Sequence, residues 1–557
     1  MWVSLISLIC SPAIGETWKK ELAEGVTLVQ KVVGAPRPQI INILRVDPKS
    51  PGVRIQAVLA QDQVQTGGSG TGCEVIGSMA KRLNAAAVVN ADFFPIGTDI
   101  PGDPLNLMVI GGELISEPSE RAVFGMTSDG RFLFDSLQFE AKVIYGEGKS
   151  FPLRGINRKR AANELIVYTS RFAPSTRTSG VGSEAIVKCD QLPVRIGKTI
   201  SGTISDIRTG AGDSPLPDGV FVLSGAGTGA RFIDENLKSG MTVSIQFTVT
   251  GRDTGSWESV VEAVGGGPFL VRNGKMFIDA SEAQPGSKVK PSVHPRTMVG
   301  ATKDGKLILA TVDGRQSESA GMTFVQLADI MLAQGCVDAI NLDGGGSTTM
   351  ATPFGILNSP SGGIQRMVAN GLAVFANPPS SPSETDFTIS NACSVMSGTT
   401  TQLCLLDAST GQPLNAEVIN RAIWSATGGA GFVDQSGKFH GMKARSGNVV
   451  VQLGSKTATV PVETIAGNPS RLAAELSPDP SGAPNRSVLV VSATDVNANS
   501  VAGARVSVKI TGGAADKTAL TTGSDVTAST GVIWDGTSGK VEVTCGSVSA
   551  SADQGAK

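Results

Sequence analysis

Apolar positions follow two different periods along the first two-thirds of this chain. Ile76, Met79, Ala80 and Leu83 recur at helical spacing and run directly into Ala87-Val88-Val89, which reads as a strand. Thr323 and Gln326 have capping-box spacing, and Phe324, Leu327, Ala328, Met331 and Leu332 form an apolar face that Gly335 ends. A short strand, Ala339-Ile340-Asn341-Leu342, is predicted next. Upstream, Met298 to Thr302 and Leu307 to Val312 flank Asp304-Gly305, a hairpin pattern. The two helix-strand units end alike, in Asn90-Ala91-Asp92 and in Asn341-Leu342-Asp343, and polar side chains at the carboxyl end of a strand commonly line a site.

Beyond Phe375 the helical period is absent, and short apolar runs such as Val449-Val450-Val451 alternate with Gly, Asn and Ser. Pro and Ser crowd into 378–386, and Gly467-Asn468-Pro469-Ser470 marks a second break. The resulting division is a signal peptide at 1–15, a catalytic domain at 16–377, a linker at 378–386 and two modules at 387–466 and 467–557. The expected class is α+β, a mixed-sheet domain with a few helices followed by two all-β immunoglobulin-like sandwiches; the second resembles the invasin-like kind.

Composition narrows the function. Lys+Arg 47 against Asp+Glu 49 leaves no basic footprint for nucleic acid, and two His and seven Cys are too few for a multi-finger zinc protein. Sixty-eight glycines and 17% charged residues suit an exported, sheet-rich protein. The run from Trp2 to Ile9 is too short to span a bilayer and is taken as the signal peptide, which places the protein outside the cell, in the periplasm or at the surface. Cys393 and Cys404 are close enough in sequence to form a disulfide.

The chemistry concentrates in Asn341-Leu342-Asp343-Gly344-Gly345-Gly346-Ser347-Thr348-Thr349. A strand ends in a carboxylate, and three glycines then let backbone N–H groups approach an anion, with hydroxyls adding donors. Arg296, in His294-Pro295-Arg296-Thr297, opens a strand and suits a phosphate clamp. Gly225-Ala226-Gly227-Thr228-Gly229 is not a dinucleotide fingerprint, since its spacing is one residue short and no βαβ pattern accompanies it. No Gly-x-Ser-x-Gly elbow occurs.

In this order, Asn90 to Phe94, Pro217 to Ser224, Gly265 to Leu270, His294 to Thr297, Asp313-Gly314-Arg315 and Asn341 to Thr349 resemble the phosphodiester glycosidases over about residues 30 to 377. The resemblance implies hydrolysis of the glycosidic C–O bond of sugar-1-phosphodiesters of the N-acetylglucosamine type. It implies Asp343, Asp313 and Arg296 as catalytic residues, and Asn90, Phe94, Thr297, Asn341, Gly344, Gly345, Gly346, Ser347 and Arg366 as substrate contacts. Asp92 and His294 depart from the family's pattern and receive no role. No cofactor is required, with Ca²⁺ or Mg²⁺ at Asp343 as the alternative. The expected partner is a phosphorylated glycan, with wall or surface polysaccharide held by the tail. The competing readings are a non-catalytic surface protein that binds phosphorylated glycans, and a P–O phosphodiesterase.

Overall fold

The computed structural model describes residues 15–66, 72–278, 292–379, 386–390, 392–536 and 538–554. The signal-peptide segment through residue 14 and most of the linker lie outside them. No described helix is long and apolar enough to cross a membrane. The chain divides into one compact unit of Met1–Glu384 with Leu453–Ser455, and a second of Thr385–Gln452 with Lys456–Lys557.

The first unit is built from three sheets. One runs Glu16–Ala23, Val26–Val33, Gln39–Val46, Leu307–Val312, Arg296–Thr302, Cys336–Asn341, Phe269–Arg272 and Lys275–Met276. The second, of twelve strands, has the long strand Phe132–Tyr145 between Thr242–Gly251 and Ala122–Thr127, and continues through Val260–Gly265. The third sets Ala87–Asn90 between Asn370–Phe375 and Met350–Thr352. Mixed sheets were expected; the described ladders between the strands of this unit are antiparallel, and a single parallel bridge joins Ile156 and Val167. Many neighbours follow one another through tight turns, which makes antiparallel pairing the direct solution.

Both expected helices form. Phe324–Ala333 carries the Thr323–Gln326 capping box and buries Leu327, Ala328 and Met331 against the first sheet, beside Ile308 and Met298. Full burial of Leu327 and Met331 stabilises by about 1.5–3 kcal/mol each. Ile76–Leu83 buries Ile76, Met79 and Ala80 beside Val88. A third helix, Thr228–Asn236, follows the strand Val220–Gly225 where no helix was assigned. Only Phe232 and Ile233 mark its apolar face. A Cβ on Gly229 would lie 2.1 Å from the Glu164 carbonyl oxygen, so glycine lets the helix start against the neighbouring strand. Because Val220–Gly225 pairs antiparallel with both its neighbours, no dinucleotide fold results.

The tail is strands plus one short helix, Ala416–Arg421. Its last module pairs two four-stranded sheets around Leu489, Val491, Val506, Val532, Trp534 and Val543. The module before it centres on buried Trp424 in Ile423–Thr427. A polar joint links the two. Asp495 accepts from the Gly467 N–H, Asn497 and Asn499 donate to the Ser397 hydroxyl, and Asn499 also donates to the Met442 carbonyl. Cys393 and Cys404, close enough in sequence to pair, are free thiols in the structure.

Candidate active site

Strand ends from all three sheets converge. Ala87–Asn90 delivers Asn90 and Asp92, Cys336–Asn341 delivers Asp343, and Val260–Gly265 delivers the glycines that follow. Main-chain bonds join them: Asp343 N–H donates to Ala91 at 2.7 Å, Gly267 N–H to Asn341 at 2.7 Å and Gly266 N–H to Ala122 at 2.9 Å. Gly265 is needed because a Cβ there would stand 2.7 Å from the Asp92 carboxyl carbon.

Asn90 is the stitch between these ends. Its Nδ2 donates to the Asp343 carbonyl at 2.7 Å, and its Oδ1 accepts from the Thr297 hydroxyl at 2.7 Å and from the Thr349 N–H at 3.0 Å. Asn90 and Thr297, both expected as substrate contacts, are buried, and those groups bond to protein. Asn341 is likewise buried, its Nδ2 held by the Gly267 and Leu342 carbonyls, while its Oδ1 is unpartnered.

Asp313 is equally enclosed. It is fully buried, its Oδ1 accepts from Asn358 Nδ2 at 2.7 Å, and its Oδ2 accepts from the Ser359 N–H at 2.8 Å. Burial pushes its pKa up to about 7 against those two bonds. It braces the 358–359 loop instead of meeting a substrate. Phe94 packs in the core with Val58, Ile76 and Met79, whereas Phe93 is partly exposed under the Arg121 guanidinium, 4.4 Å from its ring centre.

Asp343 sits at the base of the glycine loop. Burial raises its pKa to about 6, opposed by hydrogen bonds from the Ser347 hydroxyl and the Gly344 N–H and by the Arg366 and Arg121 charges. The expected cradle of N–H groups is mostly used internally: Gly344 donates to Asp343 Oδ1, Gly345 to the Pro295 carbonyl and Ser347 to the Gly344 carbonyl.

Arginines take over that role, one beside each glycine. Built Cβ atoms would lie 3.6 Å from Arg296 Cδ at Gly344, 3.2 Å from Arg315 Nη2 at Gly345 and 2.5 Å from Arg366 Nη2 at Gly346. None of the three has a carboxylate ion-pair partner among the described residues. Arg296 lies over the Phe324 ring at 4.1 Å, and burial with the adjacent Arg315 charge lowers its pKa to about 10. Arg315 donates to His294 Nδ1, and Arg366 reaches the Ser347 hydroxyl at 3.4 Å. Such unneutralised, partly buried guanidiniums favour an anion. They do not fit a divalent cation at Asp343, which would meet three like charges.

Asp92 is the acid that sequence reasoning set aside. It is buried, its Oδ1 accepts from the Phe93 N–H at 2.8 Å and its Oδ2 has no partner. Burial is the main cause that raises its pKa to about 7, with Asp343 adding to the rise and Arg121 opposing it. The matching Asn-x-Asp endings of two strands were the signal for it; Arg315 stood in the Asp313-Gly314-Arg315 motif without being given a role, and Arg121 left no comparable sign.

Residues 196–375 match the family model described as phosphodiester glycosidase. Within that segment the chain is similar to the phosphodiester glycosidases. The segment starts well after residue 30, so Asn90 and Asp92 precede it. N-acetylglucosamine-1-phosphodiester alpha-N-acetylglucosaminidase of Bos taurus is 34% identical over 110 residues, 18% of this chain and 21% of that protein. A prophage-derived protein of Bacillus subtilis is 41% identical over 81 residues, 14% and 13% of the two chains. The chain thus spans about a fifth or less of the length of these curated relatives. A Burkholderia pseudomallei protein of known structure shares the fold, with a TM-score of 0.54 at 17% identity over 67% of this chain and 98% of that one.

Proposed function

We propose that the phosphodiester glycosidase unit hydrolyses sugar-1-phosphodiesters, with N-acetylglucosamine as the sugar, in phosphorylated glycans outside the cell or at its surface. The two immunoglobulin-like tail modules hold it to wall or surface polysaccharide. The observation that carries this reading is the ring of Arg296, Arg315 and Arg366 about Gly344-Gly345-Gly346, with Asp343 at its base.

The diester phosphate sits against the three guanidiniums. As the bond between anomeric carbon and phosphate oxygen breaks, negative charge moves onto a phosphate that leaves as a monoester. Fixed cations in a partly buried site stabilise that charge more than they stabilise the diester. A good leaving group removes most of the need for a general acid. Asp343, ionised above about pH 6, takes the proton of the water that attacks the anomeric carbon. Asp92, raised to about 7 with the Asp343 charge contributing, is about half protonated at neutral pH and limits the local negative charge facing the phosphate. Phe93 under Arg121 offers an apolar face to the sugar ring.

Turnover of UDP-N-acetylglucosamine and simpler sugar-1-phosphodiesters in ¹⁸O-labelled water tests the assignment. Label in the released sugar is expected. Label in the phosphate makes the protein a P–O phosphodiesterase, and binding without turnover makes it a glycan-binding protein.

A further inference from the structure

A second cationic site lies in the same unit, away from the glycine loop. A cavity of about 310 Å³ is lined by Lys159, Arg160, Arg177, Tyr168 and Thr178, with Asp99 and Ile100 at its edge. Tyr168 and the neighbouring Phe172, rings 4.6 Å apart, are buried and form an apolar backing. Lys159 is paired with Asp99 at 2.9 Å in an exposed bridge. Arg160 and Arg177 have no carboxylate ion-pair partner among the described residues.

Both guanidiniums are instead held by neutral oxygens. Arg160 donates to the Ser224 hydroxyl at 2.7 Å and to the Val181 carbonyl at 2.7 Å, and Arg177 donates to the Thr66 carbonyl at 2.6 Å. The nearest buried acid, Glu184, is one hydroxyl removed from Arg160 and is itself satisfied by Thr176, Thr178, Ser214 and Ser224. Arg177 also sits at φ 48°, a left-handed backbone that an arginine adopts only when its surroundings impose it. Two positioned, unneutralised guanidiniums in a cavity of this size suit an oxyanion carried on a sugar-sized group.

The chain ties this cavity to the candidate active site. Asp99 follows Asp92 by seven positions, so at most about 25 Å separates their Cα atoms. That bound places the cavity edge within a few sugar-phosphate units of Asp92. We propose that this cavity is a second phosphate subsite and that the substrate is a repeating sugar-phosphate polymer, with one diester at the cleavage site and another between Arg160 and Arg177. This inference rests on the phosphodiester glycosidase reading above, and it specifies the substrate as polymeric.

The test compares the full chain with R160Q and R177Q on two probes, a single-linkage sugar-1-phosphodiester and a synthetic oligomer of four hexose-1-phosphate units. In the parent, KM for the oligomer is expected to be at least tenfold below that for the single linkage. Each variant is expected to raise the oligomer KM about tenfold and to leave the single-linkage KM unchanged, with an unaltered melting curve. Equal effects on both probes, or none on the oligomer, overturn the proposal. Should one variant fail to fold, the other carries the comparison. If neither probe is turned over, the hydrolase reading fails, and calorimetric binding of the oligomer to parent and variants still decides the subsite: equal affinities refute it.

Discussion

Replacing Asp92 by Asn removes a buried ionisation while keeping the side chain's shape and its Oδ1, which accepts from the Phe93 N–H. Asp92 has its folded pKa raised from 3.8 to about 7, chiefly by burial. A raised pKa means that the folded state holds the proton more tightly than the unfolded chain. The contribution to stability is therefore fully present below pH 3.8 and is lost as pH rises towards 7, levelling off above it. A shift of roughly three units corresponds to about 4 kcal/mol. Asn carries no such charge, so the stability of Asp92→Asn relative to the parent should rise by about 4 kcal/mol between pH 4 and pH 8. Asp313 and Glu262, also raised to about 7, titrate in both proteins and cancel in this difference. Calorimetric unfolding of the full chain and its variant at several pH values measures it. A difference between parent and variant that does not change with pH would falsify the claim that Asp92 is held protonated by burial.

Further outcomes follow from the same geometry. Asp343→Asn should abolish turnover with a melting temperature close to the parent's, read by steady-state assay and calorimetry. In the parent, kcat/KM should fall about tenfold per pH unit below pH 6 as Asp343 takes up its proton. Gly346→Ala places a methyl 2.5 Å from Arg366 Nη2, displaces that guanidinium, and should lower kcat/KM at least tenfold with a stability change under about 1 kcal/mol. Asn358→Ala removes the donor to Asp313 Oδ1 and should cost about 1–3 kcal/mol of stability, measured by denaturant unfolding, with a much smaller effect on kcat.

Periodicity made Ile76–Leu83 and Phe324–Ala333 readable because each buries a stripe of three or more apolar residues, whereas Thr228–Asn236 buries little beyond Phe232 and Ile233. Asp343 stood out in the sequence because its three glycines are contiguous with it. The enclosure of Asp313 was not legible because a carboxylate at a strand's end reads alike whether it faces solvent or takes bonds from Asn358 and Ser359. Phe94 was preferred to Phe93, and adjacent residues there have opposite fates, one in the core and one under Arg121. Arg121 reaches the site because Ala122–Thr127 pairs with Val260–Gly265, a register fixed far along the chain. Arg315 arrives from the turn after Leu307–Val312, where it adopts φ 60°.

The joint formed by Ser397, Asp495, Asn497 and Asn499 sets where the tail can be cut. Truncation at the Gly467 break strips the Gly467 N–H, the Ser397 hydroxyl and the Met442 carbonyl of their bonds in one step. The module left behind carries newly exposed polar groups and a bare face. A shortened form of this protein should therefore end before the whole tail or retain all of it, because its two modules share one seam and neither owns both sides of it.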